Sequence, residues 1–477
     1  MAHFLIYRMF HCIVFDMPSK KYFIITFGCQ MNESDSERLA AVLEQAGYIK
    51  ALSIEKADIV AYNTCSVRQT AEDRVFGANK VIAALKKKNP RLTVMLTGCM
   101  VHYGKKELKK RLPKFDLFLD IKDIPKLPTI LGINKKTLAK EYLDIRPSVE
   151  SPFSAFVPIS YGCNNYCSYC IVPLARGGEY SRPAKEIIAE VKNYIQKGYK
   201  EIWLLGQNVN SYGIKDKTYW ANKRLGNKKP AIEKGRCSFS SLIKEIDKIP
   251  GLPAIATRRR QQAGDWWLRF TSPHPKDLSD ELIQTLKNAR HFAHYINLPM
   301  QAGDDTILKK MNRHYTARDY LSLIKKIRAA MPNVALSTDI IVGFPGETQR
   351  EFQNTARVFA ATNMDMAYIS KYSPRPQTVA AKKYTDSVPL AEKKKRFDKL
   401  NAILKRSALA HNKRYLGKTM TILIDKADNG TISGKTATYK TVETSTAPMN
   451  AKKLLGTFVD VTITKVRDFS LEGIIKR

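Results

Sequence analysis

From Lys21 onward, short apolar runs alternate with longer segments in which apolar residues recur every third or fourth position. The run "KYFIITFGC" predicts a strand, and "SDSERLAAVLEQAG" a helix capped by Ser34 or Asp35 and stopped by Gly47. The strand "ADIVAYNTC", the helix "AEDRVFGANKVIAALKKK", the strand "RLTVMLTGC" and the helix "GKKELKKRL" come next. Alternation at this pace predicts a parallel α/β sheet domain over residues 21–135. Each of the three strands ends on a cysteine: Cys29, Cys65 and Cys99. The strand C-termini of such a sheet share one edge, where ligands usually bind, so thiols far apart in sequence can meet there. A lone cysteine after a strand is more often a small packed residue. Three in three consecutive units favour a ligand set.

A linker rich in Pro and Lys, from "IKDIPKLP" to "DIRPSVESP", leads to a second region over residues 150–395. Here "AFVPISYGC", "EIWLLGQN", "WWLRFTSP", "HYINLPMQ", "VALSTDIIVGF" and "MAYISKYSP" predict six strands. Helical segments such as "AKEIIAEVKNYIQKG" and "ARDYLSLIKKIRAAM" separate them. Six such units predict a partial (β/α)6 barrel, whose chemistry belongs at the strand C-termini. Two stretches, Lys215 to Ser238 and Ala254 to Asp265, lack periodicity and read as inserted loops. After the basic helical stretch "AEKKKRFDKLNAILKRSALAHNKR", residues 412–477 turn to β-branched runs of period two. "KTMTILID", "GTISGKTATY" and "TFVDVTITKV" predict a small antiparallel β-barrel, suited to RNA or to a structural cap.

With 44% hydrophobic and 26% charged residues, the composition is that of an ordinary globular protein. The charge balance is not ordinary. Eighty Lys and Arg against 44 Asp and Glu leave +36, spread along the chain, which favours a polyanion such as nucleic acid; a lysine-rich solvated surface would give the same balance. The opening segment "MAHFLIYRMFHCIVFDMPSK" is interrupted by Arg8, His11 and Asp16 and lacks a small-residue cleavage site. No later stretch approaches the ~18 apolar residues a membrane span needs. The expectation is a cytoplasmic enzyme with reduced thiols, whose clustered cysteines serve metal binding or catalysis rather than disulfides.

Three of the eight cysteines, Cys163, Cys167 and Cys170, fall within "YGCNNYCSYC" at spacing C-x3-C-x2-C, just after the first barrel strand. A closed zinc site needs four N or S ligands, and no fourth follows at finger spacing; Cys237 is remote. A redox C-x2-C pair would use Cys167 and Cys170 and leave Cys163 unexplained. Iron-sulfur clusters are also normally held by four thiolates. Three leave one iron with an open position, where a substrate or cofactor can bind.

This triplet after the first strand of a βα barrel, with aromatic Tyr169 before the last cysteine, resembles the radical S-adenosylmethionine enzymes. In that family the open iron chelates S-adenosylmethionine, whose reductive cleavage gives a radical able to abstract hydrogen from unactivated C–H bonds. From Lys21 onward, "TFGCQMNESDSE", "NTCSVRQTAEDRVFG", "LTGC", "YGCNNYCSYCIVPLARGGEYSRP", "LPMQAGDDTILKKMNRHYT", "STDIIVGFPGET" and "KYSPRPQT" resemble the methylthiotransferases. The match is closest to the tRNA branch that acts on an isopentenylated adenosine beside the anticodon. The resemblance implies two 4Fe-4S clusters, a radical cluster on Cys163, Cys167 and Cys170 and an auxiliary one on Cys29, Cys65 and Cys99. It further implies S-adenosylmethionine as cofactor, tRNA as partner, a reduced electron donor protein, a sulfur donor and a TRAM-like RNA-binding domain around "SGKT". A monomer is expected. The target carbon lies in a purine ring and is not acidic, so replacing its hydrogen with SCH3 calls for a radical.

By the same resemblance, Gln207, Asn208, Gln301, Asp339 and Gly343 are candidates for the S-adenosylmethionine pocket, with ordinary barrel-mouth roles as the alternative. Arg176 and Arg182 suit a phosphate or a cofactor carboxylate, or else pair with nearby acids. Tyr372 and Arg375 are candidates for tRNA contact, or belong to a structural turn. No acid–base residue is assigned. Three departures from the family pattern stand out: Gly178 where arginine is usual, "QAGDD" adding Asp304 near the pocket, and the Ala254 to Asp265 interruption. The rival readings are a methylthiotransferase acting on threonylcarbamoyladenosine tRNA or on a ribosomal protein aspartate, and a non-catalytic zinc-bearing RNA-binding protein. "NTCSVRQTAEDRVFG" and "GGEYSRP" favour the isopentenyl branch.

Overall fold

The computed structural model describes residues 20–66, 69–133, 139–215, 231–251, 266–428 and 430–476. The opening segment, residues 216–230 of the first insertion and all of Ala254 to Asp265 lie outside them. Strands β1 (Lys21–Phe27), β2 (Ile49–Lys50), β3 (Ile59–Thr64), β4 (Thr93–Gly98) and β5 (Leu117–Phe118) form one sheet in the order β2-β1-β3-β4-β5. Every pairing is parallel. The central β3 is buried along its whole length, as a parallel strand covered on both faces must be. The first helix starts earlier than its polar residues suggest. It spans Gln30–Gln45 with Cys29 extended at its N-cap, which leaves Ser34 and Asp35 buried inside the helix. Asn32 accounts for the early start, because its Oδ1 accepts the Cys29 backbone N–H at 3.3 Å.

The second region supplies β6 (Ser154–Pro158), β7 (Ser160–Tyr161), β8 (Tyr180–Ser181), β9 (Glu201–Leu205), β10 (Trp267–Phe270), β11 (Tyr295–Asn297), β12 (Ala335–Val342) and β13 (Met366–Lys371). Two parallel sheets, β6-β9-β10 and β11-β12-β13, are joined by a single parallel bridge between Leu268 and Phe292. Together they form an open arc of six barrel strands. Alternation along the strands separates two faces. Ala155, Val157, Ile202 and Leu204 pack outward in the main core. Phe156, Trp203, Leu205 and Tyr295 gather on the other side of the strands, where Met31 of the N-terminal domain and Tyr439 of the C-terminal one join them. The short antiparallel pair β7–β8 brackets the loop that carries the cysteine triplet.

At the C-terminus β14 (Thr419–Asp428), β15 (Thr431–Thr436), β16 (Thr441–Ser445), β17 (Phe458–Val466) and β18 (Ser470–Ile475) close into a barrel, in the order β14-β15-β16-β18-β17. The barrel is not wholly antiparallel, since β16 and β18 pair in parallel. The Pro448–Leu454 helix carries the chain away after β16, so β17 pairs with β14 and β18 fills the remaining gap. Among the described residues no helix is long and apolar enough to cross a membrane.

This small barrel docks where the strands of the large one begin. Arg269, fully buried, donates from Nε to Glu201 Oε1 at 2.6 Å and from its two terminal nitrogens to the carbonyls of Ala437 and Thr436, both at 2.9 Å. The Tyr439 ring stacks on Tyr295 at 4.8 Å and meets Trp203 edge-on at 5.3 Å. Removing one partner of a buried pair strands the other charge, so Arg269→Ala is expected to destabilise the folded chain by about 3–5 kcal/mol. Urea unfolding followed by tryptophan fluorescence checks this.

Candidate cluster sites

The N-terminal site follows from strand register. Phe27 pairs with Thr64, and Thr64 with Gly98, so the segments carrying Cys29, Cys65 and Cys99 leave the sheet side by side. The Cys65 N–H bonds the Phe27 carbonyl at 2.8 Å, tying the second cysteine to the end of the first strand. Gly98 makes the last turn possible: its φ is +91°, and a Cβ there would lie 2.4 Å from the Thr64 carbonyl oxygen. Beneath lies a buried amide network, in which Asn63 Nδ2 donates to the Asn32 carbonyl (2.7 Å) and to Ser36 Oγ (2.9 Å). Burial pushes the Cys29 thiol up, against the pull of Arg176, and Cys99 is near enough to raise it further.

The triplet occupies an irregular loop between β7 and the short Val172–Arg176 helix. Neighbouring chain pins it. Ser168 N–H donates to the Met311 carbonyl at 3.0 Å and its hydroxyl to the Lys310 carbonyl at 2.7 Å, while Asn312 Nδ2 holds the Tyr166 carbonyl at 2.9 Å. Burial pushes the Cys163 thiol up to about 12 and raises Cys170 as well, and Cys167 adds to both. Arg313 donates from Nη1 to Cys167 Sγ at 3.5 Å. Two imidazoles nearby are kept neutral: burial, with Arg313 and Lys276 behind it, holds His274 well below the usual histidine range, and brings His314 down to about 4.

At each site three thiols and no fourth are the donor set of an iron-sulfur cluster with one open iron. Among the described residues no three His, Cys, Asp or Glu side chains converge as ligands of one ion would. Asn208 provides a test for the cofactor. It lies in a cleft with Asn164 and Asn165 of the triplet loop, Glu179 and Lys276, donates from Nδ2 to Asp277 at 2.7 Å, and keeps a buried Oδ1 with no partner among the described residues. A buried acceptor left unbonded costs about 1–3 kcal/mol, and because the cleft is too tight for a water molecule, its walls must part for a cofactor's ammonium group to reach that oxygen.

The other positions singled out in the sequence are dispersed. Gln207 is half-buried at the end of β9. Gln301 (φ +65°) and Asp339 are joined through the backbone, Gln301 N–H to the Asp339 carbonyl at 2.8 Å, and the Asp339 carboxylate accepts from Asn297 at 3.0 Å. Gly343 donates its N–H to Glu347 at 2.6 Å, in a turn with no room for a Cβ against Lys393. Asp304 caps the Asp305–Lys310 helix, accepting from the Thr306 and Ile307 N–H groups, so its role is structural. Arg182 pairs with Glu190 at 2.7 Å and bonds the Pro158 carbonyl. Tyr372 is only 6% exposed, edge-on to Phe344, which removes it from any surface open to RNA. Gly178 has open space around it, its nearest neighbour being Asn164 Oδ1 at 3.5 Å from a built Cβ, so packing does not exclude the usual arginine.

Two arginines join the sites. Arg176 reaches from the helix after the triplet to Asp35 (Nη2 to Oδ2, 2.6 Å) and to Cys99 Sγ (Nε, 3.3 Å). Arg375, just beyond β13, bonds Gln69 at 2.6 Å and stands 3.6 Å from Glu72, whose carboxylate accepts from Ser66 beside Cys65. Arg176 and Arg375 both follow C-terminal strand ends, so the cysteine edge of the first sheet lies over the barrel mouth. Asp35 and Arg313 are the site residues that the sequence reading missed; the signal for Asp35 was a charge inside a segment otherwise packed on the core, whereas the polar neighbours of Arg313 gave none.

Comparison with known proteins agrees with this arrangement. Residues 157–359 match the Radical SAM superfamily, residues 21–120 the Uncharacterized protein family UPF0004, and residues 413–476 the TRAM domain. A barrel of this kind with three cysteines at its mouth defines a radical S-adenosylmethionine enzyme, with that cofactor and a 4Fe-4S cluster. The chain is 40% identical over 468 residues to a tRNA-2-methylthio-N(6)-dimethylallyladenosine synthase of Clostridium botulinum (strain Langeland), covering 95% of this chain and 96% of that protein. It is 39% identical over 470 residues to one from Dictyoglomus thermophilum, covering 96% and 99%. The chain belongs to the tRNA-2-methylthio-N(6)-dimethylallyladenosine synthase family. A radical S-adenosylmethionine methyltransferase from Kitasatospora setae, TsrM, shares the fold (TM-score 0.51, 13% identity, 76% of this chain and 74% of that one).

Gly162 precedes the triplet with φ +74°, and a Cβ there would sit 2.1 Å from the Gly178 carbonyl oxygen. Gly162→Ala is expected to cost roughly 1–3 kcal/mol through strain and to displace the loop. Iron analysis after anaerobic reconstitution should show the triplet's share lost while far-ultraviolet circular dichroism is unchanged.

Proposed function

We infer that this chain transfers a methylthio group to the adenine ring of isopentenylated adenosine beside the anticodon of tRNA, using two iron-sulfur clusters. The observation that carries this reading is the pairing of two three-cysteine sites in one molecule, bridged by Arg176 from the triplet segment to Cys99. A single-cluster radical enzyme would need only Cys163, Cys167 and Cys170. The auxiliary set, Cys29, Cys65 and Cys99, is the place to hold sulfur for insertion. Bound at the triplet, a four-iron cluster with S-adenosylmethionine supplies the radical that removes hydrogen from the ring carbon.

The chain's own residues do the rest. Asn208, with its unpaired buried acceptor and its bond to Asp277, orients the cofactor's polar end beside the triplet. Gln207 lies just after β9, Gln301 and Asp339 are joined through the backbone, and with Gly343 they remain candidates for further cofactor contacts. Covering of the barrel mouth by the N-terminal domain excludes water from a reactive intermediate. The long Leu390–Lys413 helix exposes Lys394, Lys395, Lys399, Lys405 and Arg406, and this row together with the TRAM barrel supplies a cationic surface for the RNA backbone. A reduced donor protein delivers electrons, an external source renews sulfur, and the chain acts as a monomer.

Relatives named for the dimethylallyl substrate favour this branch over threonylcarbamoyladenosine or a ribosomal protein, and the Radical SAM match over residues 157–359 weighs against a zinc module. After anaerobic reconstitution, about eight irons per chain are expected, falling by half in a Cys163→Ala, Cys167→Ala, Cys170→Ala variant. In tRNA from a strain lacking the gene, mass spectrometry should find isopentenyladenosine without the methylthio group. The wild-type gene should restore that group and the triple variant should not. Zinc in place of iron, or iron unaffected by the triple change, would sink the reading.

A further inference from the structure

Each cysteine site carries one buried arginine on a sulfur. Arg313 touches Cys167 Sγ, and its remaining bonds go to neutral groups, the Pro299 carbonyl at 3.1 Å and the Tyr315 hydroxyl at 3.0 Å. Among the described residues no carboxylate pairs with it. A guanidinium that is 8% exposed and has no carboxylate is strongly unfavourable unless an anion compensates it, and the sulfur site beside it is the anion at hand. Arg176 differs in one respect. It donates to Cys99 Sγ at 3.3 Å, and the Asp35 carboxylate at 2.6 Å already balances its charge.

We propose that Arg313 and Arg176 are positioning residues that act through Cys167 and Cys99 to set the reduction potentials of the two clusters, Arg313 more strongly because its charge is unbalanced. The inference rests on the reading of the six cysteines as cluster ligands. Reduction adds one electron, and so one negative charge, without making or breaking a bond. A fixed positive charge and an N–H donor at a ligating sulfur favour that added charge and raise the potential. The geometry gives the radical site the stronger bias. The protein also leaves His274 and His314 neutral around the triplet, so Arg313 rather than a titrating imidazole supplies the fixed charge next to Cys167.

The test isolates each site in the full chain. A Cys29→Ala, Cys65→Ala, Cys99→Ala background keeps only the triplet, and a Cys163→Ala, Cys167→Ala, Cys170→Ala background keeps only the auxiliary set. Dithionite titration followed by electron paramagnetic resonance gives the midpoint potential of each reconstituted protein. Arg313→Gln in the first background and Arg176→Gln in the second should both move the potential to more negative values, with the larger move for Arg313→Gln. Arg313→Lys and Arg176→Lys should lie between the parent and the Gln variant. Potentials unmoved with iron retained would overturn the proposal. So would loss of iron from the Lys variants as complete as from the Gln variants, since that marks packing rather than charge. If a parent background holds no iron before any arginine is changed, the cluster reading fails first and takes the proposal with it.

Discussion

Parallel strand register is the constraint on which the rest of this molecule depends. Phe27, Thr64 and Gly98 stand abreast, so three cysteines dispersed over some seventy residues of chain leave the sheet at one level. A slip of one residue in any pairing would turn that strand's side chains to the opposite face and carry its cysteine out of line. The six-stranded arc obeys the same rule, and its own cysteines follow its first strand. The two parallel systems are then set edge to mouth, which brings the sulfur-bearing ends of both together.

Buried charge holds them in that relation. Arg176 with Asp35 ties the triplet segment to the first helix, and Arg269 with Glu201 and two carbonyls ties the C-terminal barrel to the strand starts. Tyr142 adds its hydroxyl to Asp35, so a linker residue closes the same knot. Such pairs add little net stability over a well-packed apolar contact, yet they tolerate few alternative geometries, because any other docking leaves a charge stranded. Hydrophobic surface alone would let the modules slide. Directional bonds fix one arrangement.

Much of this was legible in the sequence, and the limits are physical. The central strands were readable because continuous apolar runs such as "IVAYNT" are what a doubly covered strand requires. The six cysteines were readable because they recur at strand ends. Asp35 was read as a cap, since in sequence a polar residue before an apolar run ordinarily faces solvent; its actual partner, Arg176, is 141 residues away. Arg313 was hidden for the same reason, as nothing within its own segment announces burial. Strands β16 and β18 were missed because "TVETS" and "SLEGII" are short and lack a sustained period-two alternation, with few fully buried positions such as Val442 and Leu471. Arg182 and Tyr372 looked available for a ligand and are instead drawn into the fold, Arg182 by Glu190 and Tyr372 by packing against Phe344.

Tyr439 is stacked on Tyr295 and set against Trp203. These rings plug the end of the arc at which its strands begin, while the opposite end lies under the N-terminal domain. A side chain borrowed from the C-terminal barrel thus serves as the floor of the large one, so a chain cut before β14 would lose part of the wall around its chemistry as well as a surface for RNA.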